Sequence, residues 1–190
     1  GFSLATLFDF PAEIAAGVVL IGSSPSGLAS NVMAYLAKAN VALSVTLTAV
    51  ATVVAPFMTP LLMKYFAGAF VPIDFLAMML SIVKMVILPV VLGLVFNHFF
   101  HGKAKWLDKA MALVFMTAIA LIIMCFSAAC RDFLLFIGVL LIVAAIVHNL
   151  MGYLLGYWGC RLLKKEEEDC RNIALEVGMQ NGGLASGIAL

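Results

Sequence analysis

Apolar residues run through this sequence in six long blocks with polar interruptions between them. The first block spans Phe10 to Ala37 and is broken by Ser23-Ser24-Pro25-Ser26-Gly27. The second, Val41 to Phe66, carries Pro56 and Pro60, which predict a kink. The third covers Ala77 to Phe96 with Pro89 inside, preceded by an interfacial stretch Val71-Pro72-Ile73-Asp74. The fourth is Lys109 to Ala129 and the fifth Phe133 to Leu163, where Gly152, Gly156 and Gly159 suit close helix packing. A charged link, Lys164-Lys165-Glu166-Glu167-Glu168-Asp169, leads to the sixth, which starts near Cys170 and is broken around Asn181-Gly182-Gly183. Each block is near the ~20 residues that cross a bilayer, and none alternates with period two, so the pattern predicts membrane helices rather than a barrel.

Composition sharpens this picture. Hydrophobic residues make up 65% of 190 positions and charged residues 11%; ordinary soluble domains carry about 25% charged residues. Too little polar material is present to coat a water-soluble domain. The net charge of +1 argues against a nucleic-acid partner, which calls for a basic face. Cys125, Cys130, Cys160 and Cys170 fit no zinc spacing and no small disulfide framework, so they read as packing residues.

Charge also orients the helices. Lys38, Lys103, Lys105, Lys109, Arg161, Lys164, Lys165 and Arg171 fall on one side of the alternating connections, and only Lys64 and Arg131 on the other. The first side is therefore expected in the cytoplasm. Lys84, inside the third block, is expected to snorkel to the outer interface.

One short sequence occurs twice. Gly27-Leu28-Ala29-Ser30 recurs as Gly183-Leu184-Ala185-Ser186, each copy just past a break. Five segments separate the copies, so they run oppositely through the membrane, which is the mark of an inverted-topology repeat.

Chemistry concentrates near the breaks. Glu176 lies in an apolar helix, with Gln180 one turn further on and expected on the same face. A carboxylate in hydrocarbon is costly and calls for a cation, a proton path or a polar partner. Ser44 and Thr48 repeat the four-residue spacing, and Ser30 and Asn31 are polar just after the first break. Such oxygens suit a hard alkali cation. Pro25-Ser26-Gly27 and Asn181-Gly182-Gly183 would expose backbone N–H groups at half-helix starts, which favour an anion. His148 and Asn149 read as packing or interhelical hydrogen-bonding groups, and His98 and His101 form no metal pair. No phosphate loop, paired catalytic carboxylates or nucleophile–base set is present, so an enzyme is not expected.

Two stretches resemble the bile acid:sodium symporter family: Pro25 through Met33 running on to Asn40-Val41-Ala42-Leu43-Ser44-Val45, and Glu176-Val177-Gly178-Met179-Gln180-Asn181. The resemblance covers nearly the whole chain. It implies an all-α, inverted-repeat membrane transporter of ten helices, the fourth and ninth broken and crossing. On that template the chain is a central portion, from the fourth helix into the ninth. Residues 1–66 and 131–190 would belong to a core domain and 67–130 to a panel domain. The resemblance further implies two sodium ions. One would be held by Ser30, Asn31, Ser44, Thr48 and Glu176. The other would use Glu176, Val177, Met179 and Gln180, completed by a helix outside this chain. An organic anion would bind near the crossing, at Pro25, Ser26, Gly27, Leu28, Asn181, Gly182 and Gly183. The family often has Gly-Gly-Thr where Ser26-Gly27-Leu28 stands, and Ser in place of Gly182. The substrate therefore stays open between a bile-acid-like anion and a smaller carboxylate such as pantoate or a keto acid. The expected setting is an inner or plasma membrane, with the oligomeric state left open. A proton-coupled carrier, or a passive channel or membrane binding module, is the alternative reading.

Overall fold

In a computed structural model, the residues described are 1–100, 131–189 and seven positions between 117 and 128. Most of the fourth apolar block, and with it Cys130, His101, Lys103, Lys105 and Lys109, lies outside them. Among the described residues every regular element is a helix. In order these are α1 (Phe2–Leu7), α2 (Ala12–Ser23), α3 (Leu28–Leu36), α4 (Val41–Leu62), α5 (Phe75–Ile82), α6 (Leu88–Phe100), α7 (Arg131–Leu162), α8 (Glu167–Gly178) and α9 (Gly182–Ala189).

Helix starts follow local chemistry. Asn40 caps α4 by accepting from the Leu43 N–H at 3.1 Å, and Asp74 caps α5 by accepting from Ala77 at 3.1 Å. Glu167, Glu168 and Asp169 occupy the first turn of α8, where acidic side chains meet the positive end of the helix dipole. The helix thus begins three residues before Cys170, the start read from hydropathy alone. α4 continues through Pro56 and Pro60 and then widens into a π-helical turn, Met63–Ala67. A second π-helical turn, Val83–Ile87, joins α5 to α6 just ahead of Pro89. Proline removes a backbone donor, and a π turn absorbs the displaced register.

Among the described residues three helical stretches are long and apolar enough to cross a membrane: Val41–Ala67, Phe75–Phe96 and Gly138–Leu162. At 1.5 Å per residue the 12 residues of α2 or α8 reach only about 18 Å, so each needs its second half, α3 or α9, to span. Burial is inverted relative to a soluble protein. Large apolar side chains such as Leu155, Val53 and Leu61 are exposed, whereas Ser30, Ser44, Thr48, Thr59, Asn172 and Glu176 are buried. Lipid accepts the former, and the latter shelter from it.

Small residues let these helices approach closely. Ala5, Ala15, Ala16, Ala67, Ala144 and Ala185 line the main apolar core with Val19, Leu20 and Met63. α7 meets α8 through Gly152 and Gly156, where an added Cβ would stand 2.8 Å from the Gly178 Cα and from the Ile173 carbonyl oxygen respectively. Gly159 has nothing within 4 Å of the same position, so two of the three spaced glycines make the contact. The open end of α2 is closed by side chains. Thr59 donates to the Ser23 carbonyl and Ser24 to the Leu20 carbonyl, both at 2.8 Å.

Candidate cation and anion site

Two broken helices meet at their breaks. Ser26 and Gln180 form an isolated antiparallel bridge, the Gly27 N–H donates to the Met179 carbonyl at 3.2 Å, and the Asn181 N–H donates to the Pro25 carbonyl at 2.8 Å. These bonds engage backbone groups that a helix break would otherwise leave unpaired in an apolar medium. Gly27 permits the approach, since a Cβ there would stand 3.3 Å from the Asn181 Cα. Asn181 caps α9, its side chain accepting from the Leu184 N–H at 3.0 Å. Both copies of Gly-Leu-Ala-Ser therefore sit at the start of a second half-helix. Leu28, Gly182 and Gly183 are exposed there, whereas Ser26 is buried.

Beside the crossing, α3, α4 and α8 turn polar groups toward one point. The Ser30 hydroxyl lies 2.8 Å from Glu176 Oε1 and 2.8 Å from the Gly27 carbonyl. Ser44 lies 2.6 Å from Glu176 Oε1 and 2.7 Å from Asn31 Oδ1. Thr48 reaches Asn31 Oδ1 at 3.2 Å and the Glu176 oxygens at 3.2 and 3.1 Å. Each hydroxyl has one proton, yet each faces two or three acceptor oxygens. The cluster is rich in oxygen and short of protons, a balance that a cation at its centre restores. Turning the Asn31 amide over would supply two N–H donors and close the network without a cation. The orientation of that amide therefore separates an ion-accepting arrangement from a self-satisfied one.

The second set of residues is arranged differently from the sequence expectation. α8 ends at Gly178, with Met179 as its cap, so Gln180 is not one helical turn beyond Glu176. Its backbone instead joins the bridge to Ser26, and its side chain folds back to donate to the Val177 carbonyl at 2.6 Å. The pairing between the two breaks, a tertiary effect, ends the helix early. The Val177 and Met179 carbonyls each accept one hydrogen bond and keep a second lone pair. A cavity of about 300 Å³ adjoins Met179, lined also by Ile21, Ala145, Asn149, Tyr153 and Gln180. Asn149 thus lines a cavity beside the crossing, a placement the interhelical reading did not anticipate.

Outside the membrane-spanning stretches, the first turn of α8 clasps the turn between α3 and α4. The Asn40 amide donates to Asp169 at 2.9 Å, and Arg171 donates to the Ala37 carbonyl at 3.2 Å. Arg171 also pairs with Glu167 at 3.2 Å. The Tyr157 hydroxyl, and after it Arg171, hold the Glu167 carboxyl below the usual carboxylate range.

An apolar exterior, membrane-length helices and a buried oxygen cluster define an integral, polytopic helical membrane protein. The profile of the Sodium Bile acid symporter family matches residues 1–147, and the chain belongs to that family. It is 42% identical over 188 residues to the Uncharacterized sodium-dependent transporter YocS of Bacillus subtilis, covering 99% of this chain and 59% of the relative. It is 34% identical over 183 residues to the Probable sodium/metabolite cotransporter BASS1, chloroplastic, of Arabidopsis thaliana (96% and 46% covered). The Ileal sodium/bile acid cotransporter of Homo sapiens is 32% identical over 195 residues (99% and 55%). The chain thus spans about half the length of the curated relatives it matches. These relatives are named as a sodium-dependent transporter and as sodium-coupled cotransporters.

Proposed function

We propose that the intact protein is a sodium-coupled symporter of an organic anion, working by alternating access. The observation that carries this reading is the Glu176 cluster, an acidic side chain among proton-poor oxygens inside an apolar protein. A sodium ion among Ser30, Asn31, Ser44, Thr48 and Glu176 supplies the missing positive charge. A second sits against Glu176, Val177, Met179 and Gln180, with a further ligand from a helix beyond this chain. The anion, bile-acid-like or a smaller carboxylate, binds at the crossing, where α3 and α9 aim their positive ends and Asn181 stands between them.

The register of the crossing supports an inverted repeat. Its backbone pairs share one antiparallel register, in which Pro25 stands opposite Asn181, Ser26 opposite Gln180 and Gly27 opposite Met179. Pro25 and Asn181 stand two positions before Gly27 and Gly183, the equivalent glycines of the repeated sequence. In the inverted repeat we propose, a two-fold axis near that pair would relate the broken helices. Residues 1–66 and 131–190 form the core that carries the site, and it moves against a panel drawn from 67–130. Sodium joins α3, α4 and α8 through their side chains and so orders the two half-helix starts that receive the anion. Binding of the one thereby strengthens the other.

Uptake into proteoliposomes of the purified full-length protein tests the reading, with taurocholate, pantoate and pyruvate as labelled probes. An inward sodium gradient is expected to accumulate at least one anion above equilibrium, and a potassium gradient none. Equilibration without accumulation would mean a channel, and accumulation driven by protons without sodium would mean a proton-coupled carrier. Orientation has its own test. With the native cysteines replaced, Ala69→Cys is expected to label from outside intact cells and Glu168→Cys only after permeabilisation. The reverse pattern would overturn the assignment drawn from the lysines and arginines.

A further inference from the structure

Asn172 is 0% exposed, and neither its amide nitrogen nor its side-chain oxygen has a hydrogen-bond partner among the described residues. Unpaired amides of this kind are rare in folded proteins and call for a specific explanation. The residue lies on α8 one turn before Glu176 and three positions after Asp169. At 100° per residue, Asp169, Asn172 and Glu176 share a stripe about 60° wide. α8 meets α7 instead through Ile173, Ala174 and Val177, which lie against Gly156. The stripe therefore faces α3 and α4.

α4 presents a matching stripe, Asn40, Ser44 and Thr48, each one turn apart. The two stripes are joined at both ends. Asn40 bonds Asp169 at 2.9 Å, and Ser44 and Thr48 reach Glu176. Asn172 lies between the joined ends, and Arg171 beside it is tied to the Ala37 carbonyl at the end of α3. It is already enclosed by this chain, so a helix from elsewhere in the protein cannot reach its amide. What can reach it is a water molecule or a small cation.

We infer that Asn172 is a relay ligand for sodium, on a path between the Glu176 cluster and a mouth at Asp169 and Asn40. The inference rests on the reading of that cluster as a sodium site. Along the helix axis Asn172 stands about 6 Å from Glu176 and about 4.5 Å from Asp169, close to the spacing between successive oxygen ligands on a path. Asp169 supplies a carboxylate at the half-buried end, and the Asn40–Asp169 hydrogen bond closes it. An ion leaving Glu176 exchanges one oxygen partner for the next and avoids a bare passage through apolar core. A relay lowers the barrier equally in both directions and leaves the equilibrium affinity of the end site unchanged.

The test uses the full-length protein and two readouts, equilibrium binding of radioactive sodium and its exchange rate. Asn172→Leu keeps the branched outline in a somewhat larger side chain and removes the oxygen. It is expected to slow exchange at least tenfold while the sodium Kd stays within about twofold. Asn172→Thr restores an oxygen and is expected to recover exchange to within about threefold of wild type. Wild-type exchange in Asn172→Leu overturns the relay, and so does equal slowing in Leu and Thr, which marks a packing effect. Loss of equilibrium binding in a folded Asn172→Leu also overturns it, since the residue would then hold the ion at rest. Asn172→Ala against Asn172→Thr is a second pair that decides the matter if Leu does not fold. Absence of sodium binding in wild type would sink the sodium reading itself, whereas normal binding with indifferent exchange sinks only the relay.

Discussion

Glu176→Gln is expected to abolish sodium-driven uptake by the full-length protein, whereas Thr48→Ala should raise the sodium concentration needed for half-maximal uptake only about three- to tenfold. The difference follows from what each side chain contributes. Thr48 is one of several neutral oxygens, and water can stand in for a lost hydroxyl. Glu176 holds the carboxylate that Ser30, Ser44 and Thr48 all face, from 2.6 to 3.2 Å. Glutamine keeps its shape but removes the charge that balances a bound cation. An uncompensated buried charge costs roughly 3 kcal/mol or more, which is over a hundredfold in affinity at about 1.4 kcal/mol per tenfold. The amide also brings two N–H donors into a cluster short of protons. It therefore completes the hydrogen-bond network and stabilises the ion-free arrangement. The measurement is uptake against sodium concentration at fixed pH, with potassium as control, alongside thermal stability without sodium. A near-normal sodium response in Glu176→Gln would refute the assignment of this carboxylate to sodium.

Much of this arrangement was legible in the sequence because membrane helices write their exceptions plainly. A Ser-Ser-Pro-Ser-Gly run or an Asn-Gly-Gly inside an apolar block is conspicuous, and both breaks fall where those residues stand. Ser30, Asn31 and Glu176 stand out for the same reason, Ser44 and Thr48 join them through their spacing and the family resemblance, and the fold brings all five together. Other features needed the third dimension. Gln180 follows Glu176 at helical spacing, but the backbone bonds between the breaks, which no local signal announces, end the helix at Gly178. Asn172 sits in an ordinary helical sequence, and its lack of a partner is set by what surrounds it. Gly178 enters the sequence reading only as one letter of a motif, yet a Cβ there would run into the Tyr153 ring. Gly159 shares its spacing with Gly152 and Gly156, but a Cβ there would meet nothing within 4 Å. It lines instead a cavity of about 490 Å³ with Leu43, Cys160 and Ile173.

That difference among the three glycines sets up the second large effect. Gly152→Ala and Gly156→Ala are each expected to destabilise the full-length protein by about 1–3 kcal/mol, the usual cost of overpacking, with Gly159→Ala as the matched control. At Gly152 the new methyl would stand 2.8 Å from the Gly178 Cα and 2.9 Å from the Val177 oxygen. At Gly156 it would stand 2.8 Å from the Ile173 oxygen and 2.9 Å from the Ala174 Cα. Ordinary contact for such an atom begins near 3.4 Å, and backbone cannot rotate aside as a side chain does. α8 must therefore shift by about half an ångström or more, and it carries Glu176. Alanine also favours a helix over glycine by about 1 kcal/mol, which opposes the clash and is present at all three positions. Gly159→Ala, with nothing within 4 Å, keeps that gain alone and should be at least as stable as wild type. Thermal unfolding in detergent should therefore separate the variants by several degrees. The two destabilised proteins should also need more sodium for uptake, because the shift displaces Glu176 from the hydroxyls of Ser30, Ser44 and Thr48. Equal melting temperatures for Gly156→Ala and Gly159→Ala would show that α7 and α8 are not held together at this seam.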